Sequence, residues 1–226
     1  MKNKEYAQRL KEMEGYEREI IAFRLCDEVP DYAEPYGEDV SFLCAITAEV
    51  LEGKKPIYIT NKNIICGGGL YAGIGMKKMS KEEFDEGMVT VFGKGASYAA
   101  RKQMRRANQQ ITHHFKQYKY FVIGALDEIE DPHLVMIIAD VPKVMRLCKA
   151  YNWDTGELIH GFHGNTWCGQ SLTNVYKEKS MTFNMGDRAS RLFMKLKPEE
   201  LYCIIHYEIL PRIVENMPNI ASGEVF

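Results

Sequence analysis

The side chains of this 226-residue chain that are best suited to metal binding or nucleophilic chemistry are its six cysteines. They are Cys26, Cys44, Cys66, Cys148, Cys168 and Cys203. No Cys-x-x-Cys pair occurs, which argues against zinc ribbons, thioredoxin-like redox sites and ferredoxin-type cluster motifs. A site that uses several of these thiols must therefore be assembled by the fold from distant segments.

One cysteine is followed directly by a glycine-rich stretch, residues 64–75, IICGGGLYAGIG. Gly67, Gly69 and Ala72 match the dinucleotide-binding spacing G-x-G-x-x-G/A. That motif needs a helix beginning on the glycines, because the helix N-terminus holds the pyrophosphate. Two further glycines would fall in the first turns of such a helix, and the first clear helix start is Ser80. The sequence therefore disfavours a nicotinamide site.

The same glycines have a second interpretation, which is clearance beside a thiol. Gly67, Gly68 and Gly69 remove side chains next to Cys66, and their N–H groups can donate to sulfur or to an anion. Tyr71 can line a pocket for a flat ligand such as a flavin or a tetrapyrrole. The alternative is an ordinary glycine-rich turn beside a buried cysteine.

Histidine and cysteine occur together in a second glycine-containing stretch, residues 158–169, LIHGFHGNTWCG. His163 is near enough to Cys168 in sequence to act as a proton donor or a ligand, and Gly169 again leaves space beside the thiol. The alternative is a loop histidine that forms local hydrogen bonds.

A third motif, NMGDRASR, supplies two arginines. Arg188 and Arg191 can orient an anionic substrate, because guanidinium presents a planar fork to carboxylate or phosphate. In the structural alternative, Asp187 caps the short helix that follows and Arg188 forms an ion pair on the surface.

The elements that must position these residues alternate irregularly along the chain. Apolar spacing and end signals predict helices over residues 2–15, 39–53, 80–87, 96–115, 141–156 and 210–217. Strand patterns occupy residues 18–26, 55–60, 119–129, 133–140, 180–186 and 201–210. This mixture predicts an α+β fold, a mixed sheet with helices packed around it and Gly-rich loops carrying the site. We expect a single domain over residues 1–226, with residues 1–38 forming an N-terminal helix, strand and loop and residues 39–226 forming the core.

Charge and hydropathy exclude some classes of partner. The formal net charge is -2, and the most basic stretch lacks interleaved aromatic residues, so we expect no nucleic-acid partner. No stretch approaches the ~18 apolar residues of a membrane span, and the N-terminus is charged throughout, unlike a signal peptide. We expect a cytoplasmic protein without a membrane partner, in a compartment where disulfides are rare. A homo-oligomer is compatible with the sequence.

Three segments together resemble an uncharacterised bacterial and archaeal family, the domain of unknown function 169. These segments are residues 41–75, 167–176 and 183–217. The positions that match the family's cysteines are Cys44, Cys66 and Cys168. The other three cysteines lie in apolar strand or helix patterns, and we interpret them as core residues. The resemblance implies candidate positions but no established reaction.

Thiols from a helix, a strand end and a loop can converge as metal and cluster ligands do. Three thiolates with one open position suit a [4Fe-4S] cluster, or zinc or another thiophilic metal. The leading hypothesis is such a centre on Cys44, Cys66 and Cys168, binding a small, anionic molecule for redox or elimination-type chemistry. The alternative is a non-catalytic module that binds a cofactor or metabolite and in which the cysteines are structural.

Overall fold

The computed structural model describes residues 2–37, 39–53, 55–66, 118–160 and 167–220. The helices predicted over residues 80–87 and 96–115 lie outside these described residues. The helices are α1 (Lys2–Glu14), α2 (Leu43–Leu51), α3 (Val141–Asn152), α4 (Leu172–Glu178), α5 (Arg188–Phe193) and α6 (Leu210–Asn216). The strands are β1 (Ile21–Cys26), β2 (Glu34–Pro35), β3 (Ile57–Ile59), β4 (Tyr120–Ala125), β5 (Leu134–Asp140), β6 (Met181–Asn184) and β7 (Glu200–His206).

These strands form one seven-stranded sheet in the order β2-β3-β4-β1-β5-β7-β6. β2 runs parallel to β3, and every other neighbouring pair is antiparallel. Helices are interspersed with hairpin-like and long connections, so the arrangement is the α+β class with a mixed sheet that the sequence predicts. The Gly-rich loops lie largely outside the described residues.

Helix ends follow the local signals of the sequence. α1 ends where Gly15 adopts φ +59° and donates its N–H to the carbonyl of Lys11, a left-handed cap that glycine adopts without a Cβ penalty. α3 begins after Asp140, whose carboxylate accepts the N–H of Lys143, and Pro142 occupies its first turn. Both boundaries come from short-range chemistry and are readable in the sequence.

Side-chain alternation along the strands separates two apolar layers. In β1, Ile21, Phe23 and Leu25 point to one face and Ala22 points to the other. On the first face, here the α2 face, the buried residues come from α2, from α4 and from the π-helix Trp167–Ser171 before it. On the opposite face, here the α1 face, they come from α1, α3 and α6. The sheet is therefore covered by helices on both sides.

Within the described ranges, none of the helices has both the length and the apolar character to cross a membrane.

Candidate functional site

The six cysteines divide between the two faces of the sheet. Cys44, Cys66 and Cys168 are buried in the core layer of the α2 face. Cys203 is buried in the layer of the α1 face, and Cys26 and Cys148 pack against that layer. The prediction that the last three are core residues is confirmed for Cys203, whereas Cys26 and Cys148 are partly buried at the edge of that layer. The three cysteines of the family motifs thus share one side of the sheet.

Cys44 lies in the first turn of α2 and is only 6% exposed. Burial raises the pKa of its thiol to about 12, and nearby negative charge on Cys66 and on Asp187 contributes to the rise. The thiol is therefore protonated at neutral pH. Cys44 and Cys66 belong to the same buried layer.

A backbone clasp brings these two cysteines together. Ser41 donates its N–H to the carbonyl of Asn63 at 2.9 Å, and Ile65 donates to the carbonyl of Ser41 at 3.0 Å. This short parallel bridge ties the chain just before α2 to the chain just before Cys66. Cys66 therefore lies beside the beginning of the helix that carries Cys44.

The clasp is itself fixed by one buried amide. Asn63 donates from Nδ2 to the carbonyls of Gly37 at 2.9 Å and Asp39 at 3.1 Å. Its Oδ1 accepts the N–H of Thr60 at 2.9 Å, as expected for an Asn in a turn. Because the Asn63 side chain forms hydrogen bonds with three backbone groups, it fixes the chain before α2 and the chain before Cys66 relative to each other.

Cys168 lies on the π-helix Trp167–Ser171. Trp167 is fully buried and stacks on Tyr202 of β7, with ring centroids 5.5 Å apart and an interplanar angle of 18°. Gly169 is also on this turn, and its carbonyl accepts the hydroxyl of Thr173 at 3.2 Å. π-helical turns often occur at functional sites, where they replace regular helix geometry to place a side chain.

Two side chains of this turn have buried polar atoms without hydrogen-bond partners in the described part of the chain. They are the indole Nε1 of Trp167 and Oε1 of Gln170. A buried polar atom left unsatisfied costs about 1–3 kcal/mol, so each of these atoms calls for a partner beyond the described part of the chain. Sequence reasoning did not select Gln170, because no spacing rule signals a π-helix.

The Asp187 motif builds a cap at the start of α5. Asp187 accepts the N–H groups of Ala189 at 2.9 Å and Ser190 at 3.0 Å, and the Ser190 hydroxyl in turn accepts the N–H of Asp187 at 3.1 Å. This is a reciprocal capping box, and it confirms the structural interpretation of Asp187. Its carboxylate also contributes to the negative potential at Cys44.

The two arginines of this motif differ in what they contact. Arg191 donates from its two terminal nitrogens to four backbone carbonyls. The acceptors are Met185 at 2.7 Å, Glu200 at 3.0 Å, Lys197 at 2.6 Å and Pro198 at 3.1 Å. All four terminal N–H bonds thus connect the segment before α5 to the turn before β7 and to the first residue of β7. Arg188 is exposed.

Of the other candidates, Gly67, Gly68, Gly69, Tyr71 and His163 lie outside the described residues. Within the described residues, no group of three or more His, Cys, Asp and Glu side chains is arranged to hold a metal ion. A three-thiol metal centre therefore stays a prediction.

Comparison with known proteins agrees with the sequence motifs. A family model, the domain of unknown function 169, described as "Uncharacterised ArCR", matches residues 9–216. The chain therefore belongs to this family. It is also similar to an uncharacterised protein of Methanocaldococcus jannaschii, MJ0308, with 26% identity over 218 residues, which cover 94% of this chain and 92% of that protein. No solved structure matches the chain.

Proposed function

We propose that the α2 face carries a thiol site for an iron–sulfur cluster, with zinc or another thiophilic metal as the alternative occupant. Cys44, Cys66 and Cys168 are the proposed ligands. The observation that supports this proposal is that three separate segments, each with one of these cysteines, contribute to the same core layer.

The chemistry of the donor set fits such a centre. Thiolates favour iron–sulfur clusters, zinc and copper(I) over hard cations, and three thiol ligands leave one coordination position open. Because burial keeps Cys44 protonated, binding must displace its proton, and affinity must rise with pH. When bound, a centre with an open position would supply redox or elimination-type chemistry to a small molecule.

Arg188 is the better candidate of the two arginines for contact with an anionic ligand. Its side chain is exposed, whereas the terminal N–H groups of Arg191 are engaged with backbone carbonyls. Arg191 then acts by holding the turn between α5 and β7.

The proposal places the protein in the reducing cytoplasm, where the thiols persist.

A second candidate function is a metabolite-binding module in which the cysteines pack as small apolar residues. The protonated, buried state of Cys44 favours it, as does the lack of a three-ligand group within the described ranges. In this case Nε1 of Trp167 and Oε1 of Gln170 would contact the ligand.

Anaerobic reconstitution with ferrous iron and sulfide tests the first function. We expect a coloured protein with bound iron and acid-labile sulfide. Cys44→Ser, Cys66→Ser and Cys168→Ser should each lose the centre, whereas Cys148→Ser, on the opposite face, should retain it. A colourless protein that binds neither iron nor zinc under these conditions would exclude the thiol centre and favour the metabolite module.

A further inference from the structure

Two histidines at one end of the sheet accept backbone N–H groups through the same ring atom. Nδ1 of His133 accepts the N–H of Leu25 at 3.1 Å, and Nδ1 of His206 accepts the N–H of Glu208 at 3.3 Å. An accepting nitrogen carries no proton, so each ring is the neutral tautomer with its proton on Nε2. Neither hydrogen bond survives protonation of Nδ1.

The first of these rings extends a strand pairing. β1 and β5 pair as far as Phe23 and Leu134. Beyond this pair, His133 continues the hydrogen bonding between the two segments. Its N–H donates to Phe23 at 2.8 Å, its carbonyl accepts the N–H of Tyr207 at 2.9 Å, and its ring accepts Leu25. One residue thereby joins β1, the start of β5 and the segment after β7.

Helix α4 packs onto both rings through one tyrosine. The ring of Tyr176 lies 5.5 Å from that of His133 and 6.2 Å from that of His206, measured between centroids. Its hydroxyl lies 2.8 Å from the hydroxyl of Tyr118. α4 directly continues the π-helix that carries Cys168, so this cluster fixes the same segment.

The surroundings favour the neutral imidazoles. Burial lowers the pKa of His133, the neighbouring His206 and Arg24 lower it further, and Asp131 opposes them weakly. Burial lowers the pKa of His206, while Glu208 opposes this shift and Lys179 supports it. Lys179 and Glu208 form an ion pair at 2.8 Å, so they act on His206 together and in opposite directions.

We propose that His133 and His206 form an acid-sensitive latch that fastens β1, β5, β7 and α4 to one another and opens when either imidazole is protonated. When Nδ1 is protonated, its N–H faces the backbone N–H that it accepted before, so two donors oppose each other. The N–H groups of Leu25 and Glu208 then lose their acceptors, and a positive charge is buried against Tyr176. The end of the sheet and the helix after Cys168 then loosen together.

The test is the pH dependence of urea unfolding in His133→Asn, His206→Asn and the double variant. Asn can offer Oδ1 near the position of Nδ1 but does not titrate. Because the folded protein favours the neutral rings, their stabilisation is complete above the unfolded-state pKa of about 6.5 and is lost as pH falls below it. In the wild type, the slope of the free energy of unfolding against pH reflects the protons that the unfolded chain takes up. Each single substitution should reduce this slope by the equivalent of about one proton. His160→Asn, at an exposed position, should leave the slope unchanged.

Nitrogen NMR of the wild-type imidazoles provides a measurement that needs no variant. The proposal requires unprotonated Nδ1 in both rings at neutral pH and titration of both below the usual range. It also requires lower protection factors for amide exchange at Leu25 and Glu208, after correction for the intrinsic pH dependence of exchange, once the rings titrate. Rings protonated on Nδ1 at neutral pH, or Asn variants with the wild-type slope, would overturn the latch.

Discussion

The backbone of Gly186 lies directly against the ring of Tyr202. A Cβ on Gly186 would stand 2.5 Å from Cε2 of that ring, and its φ of +77° is in the left-handed region. The ring cannot easily move, because it is stacked on the fully buried Trp167. This contact explains glycine in the NMGDR motif and links that motif mechanically to the π-helix that carries Cys168.

Replacing this glycine should therefore be costly. We expect Gly186→Ala to reduce the free energy of unfolding by about 2–4 kcal/mol, through steric overlap with Tyr202 and backbone strain. Gly156→Ala is the matched control, because Gly156 also has a positive φ, +67°, but a methyl group there would meet no atom of the described residues within 4 Å. It should lose only about 1 kcal/mol. Urea unfolding measures both, and equal losses would show that the Tyr202 contact is unimportant.

Six of the seven strands were predictable because they carry local signals, whereas β2, in a stretch predicted to be a loop, and the order of the strands were not. β4, β5 and β7 are apolar, rich in β-branched and aromatic residues, and buried on both faces beneath helices. The beginning of α2 was not predictable to the residue. The sequence favours a start near Asp39 or Ser41, but the helix begins at Leu43. Ser41 is instead held in a backbone pairing across more than twenty residues, which no local pattern encodes.

The cysteines of the candidate site were predictable, but the local geometry around them was not. Family motifs selected Cys44, Cys66 and Cys168, and strand alternation explains why Cys203 points to the opposite face. The π-helix was not predictable, since its sequence WCGQS is equally compatible with a loop or a regular helix. The contacts of Arg191 were not predictable either, because its partners are backbone carbonyls, mostly of irregular segments, that no local pattern encodes. The sequence alone therefore suggested anion binding for an arginine in this motif.

The four carbonyl contacts make Arg191 a test of structure against ligand binding. Arg191→Lys should lower the free energy of unfolding by about 1–2 kcal/mol, because one ammonium cannot reach four divergent carbonyls. Arg188→Lys should change it by less than about 0.5 kcal/mol. Chemical denaturation compares the two. A destabilised Arg188 variant beside an unaffected Arg191 variant would reverse this assignment.

An ion pair near the same turn should contribute to acid sensitivity. Glu200 accepts two hydrogen bonds from the Arg18 guanidinium, at 2.9 and 2.8 Å, and one from the N–H of Lys197 at 2.7 Å. Burial acts to raise the pKa of Glu200, but these donors outweigh it and the net pKa is lowered. The resulting stability is present above the unfolded-state value near 4.5 and is lost as pH falls through the folded pKa.

Glu200→Gln should consequently weaken the protein at neutral pH, by about 2 kcal/mol, and flatten its stability profile below pH 4.5. Glu199→Gln, at the exposed neighbouring position, should leave both properties unchanged. Unfolding midpoints measured across the acid range decide this. An unaltered acid limb in the Glu200 variant would assign the sensitivity to other carboxylates.

Trp167 offers an optical report on the thiol site. The chain has two tryptophans, and Trp153 is 57% exposed whereas Trp167 is fully buried on the π-helix beside Cys168. Trp153→Phe should therefore leave a single blue-shifted emission that acrylamide barely quenches. An iron–sulfur cluster at Cys168 should strongly quench this emission, because it absorbs at the emitted wavelengths and lies next to the indole. Zinc, which lacks such absorption, should leave the emission largely intact.

The reciprocal Trp167→Phe variant reports from Trp153 on the other side of the sheet and should show weaker quenching. Bound iron without quenching of Trp167 would place the centre away from Cys168.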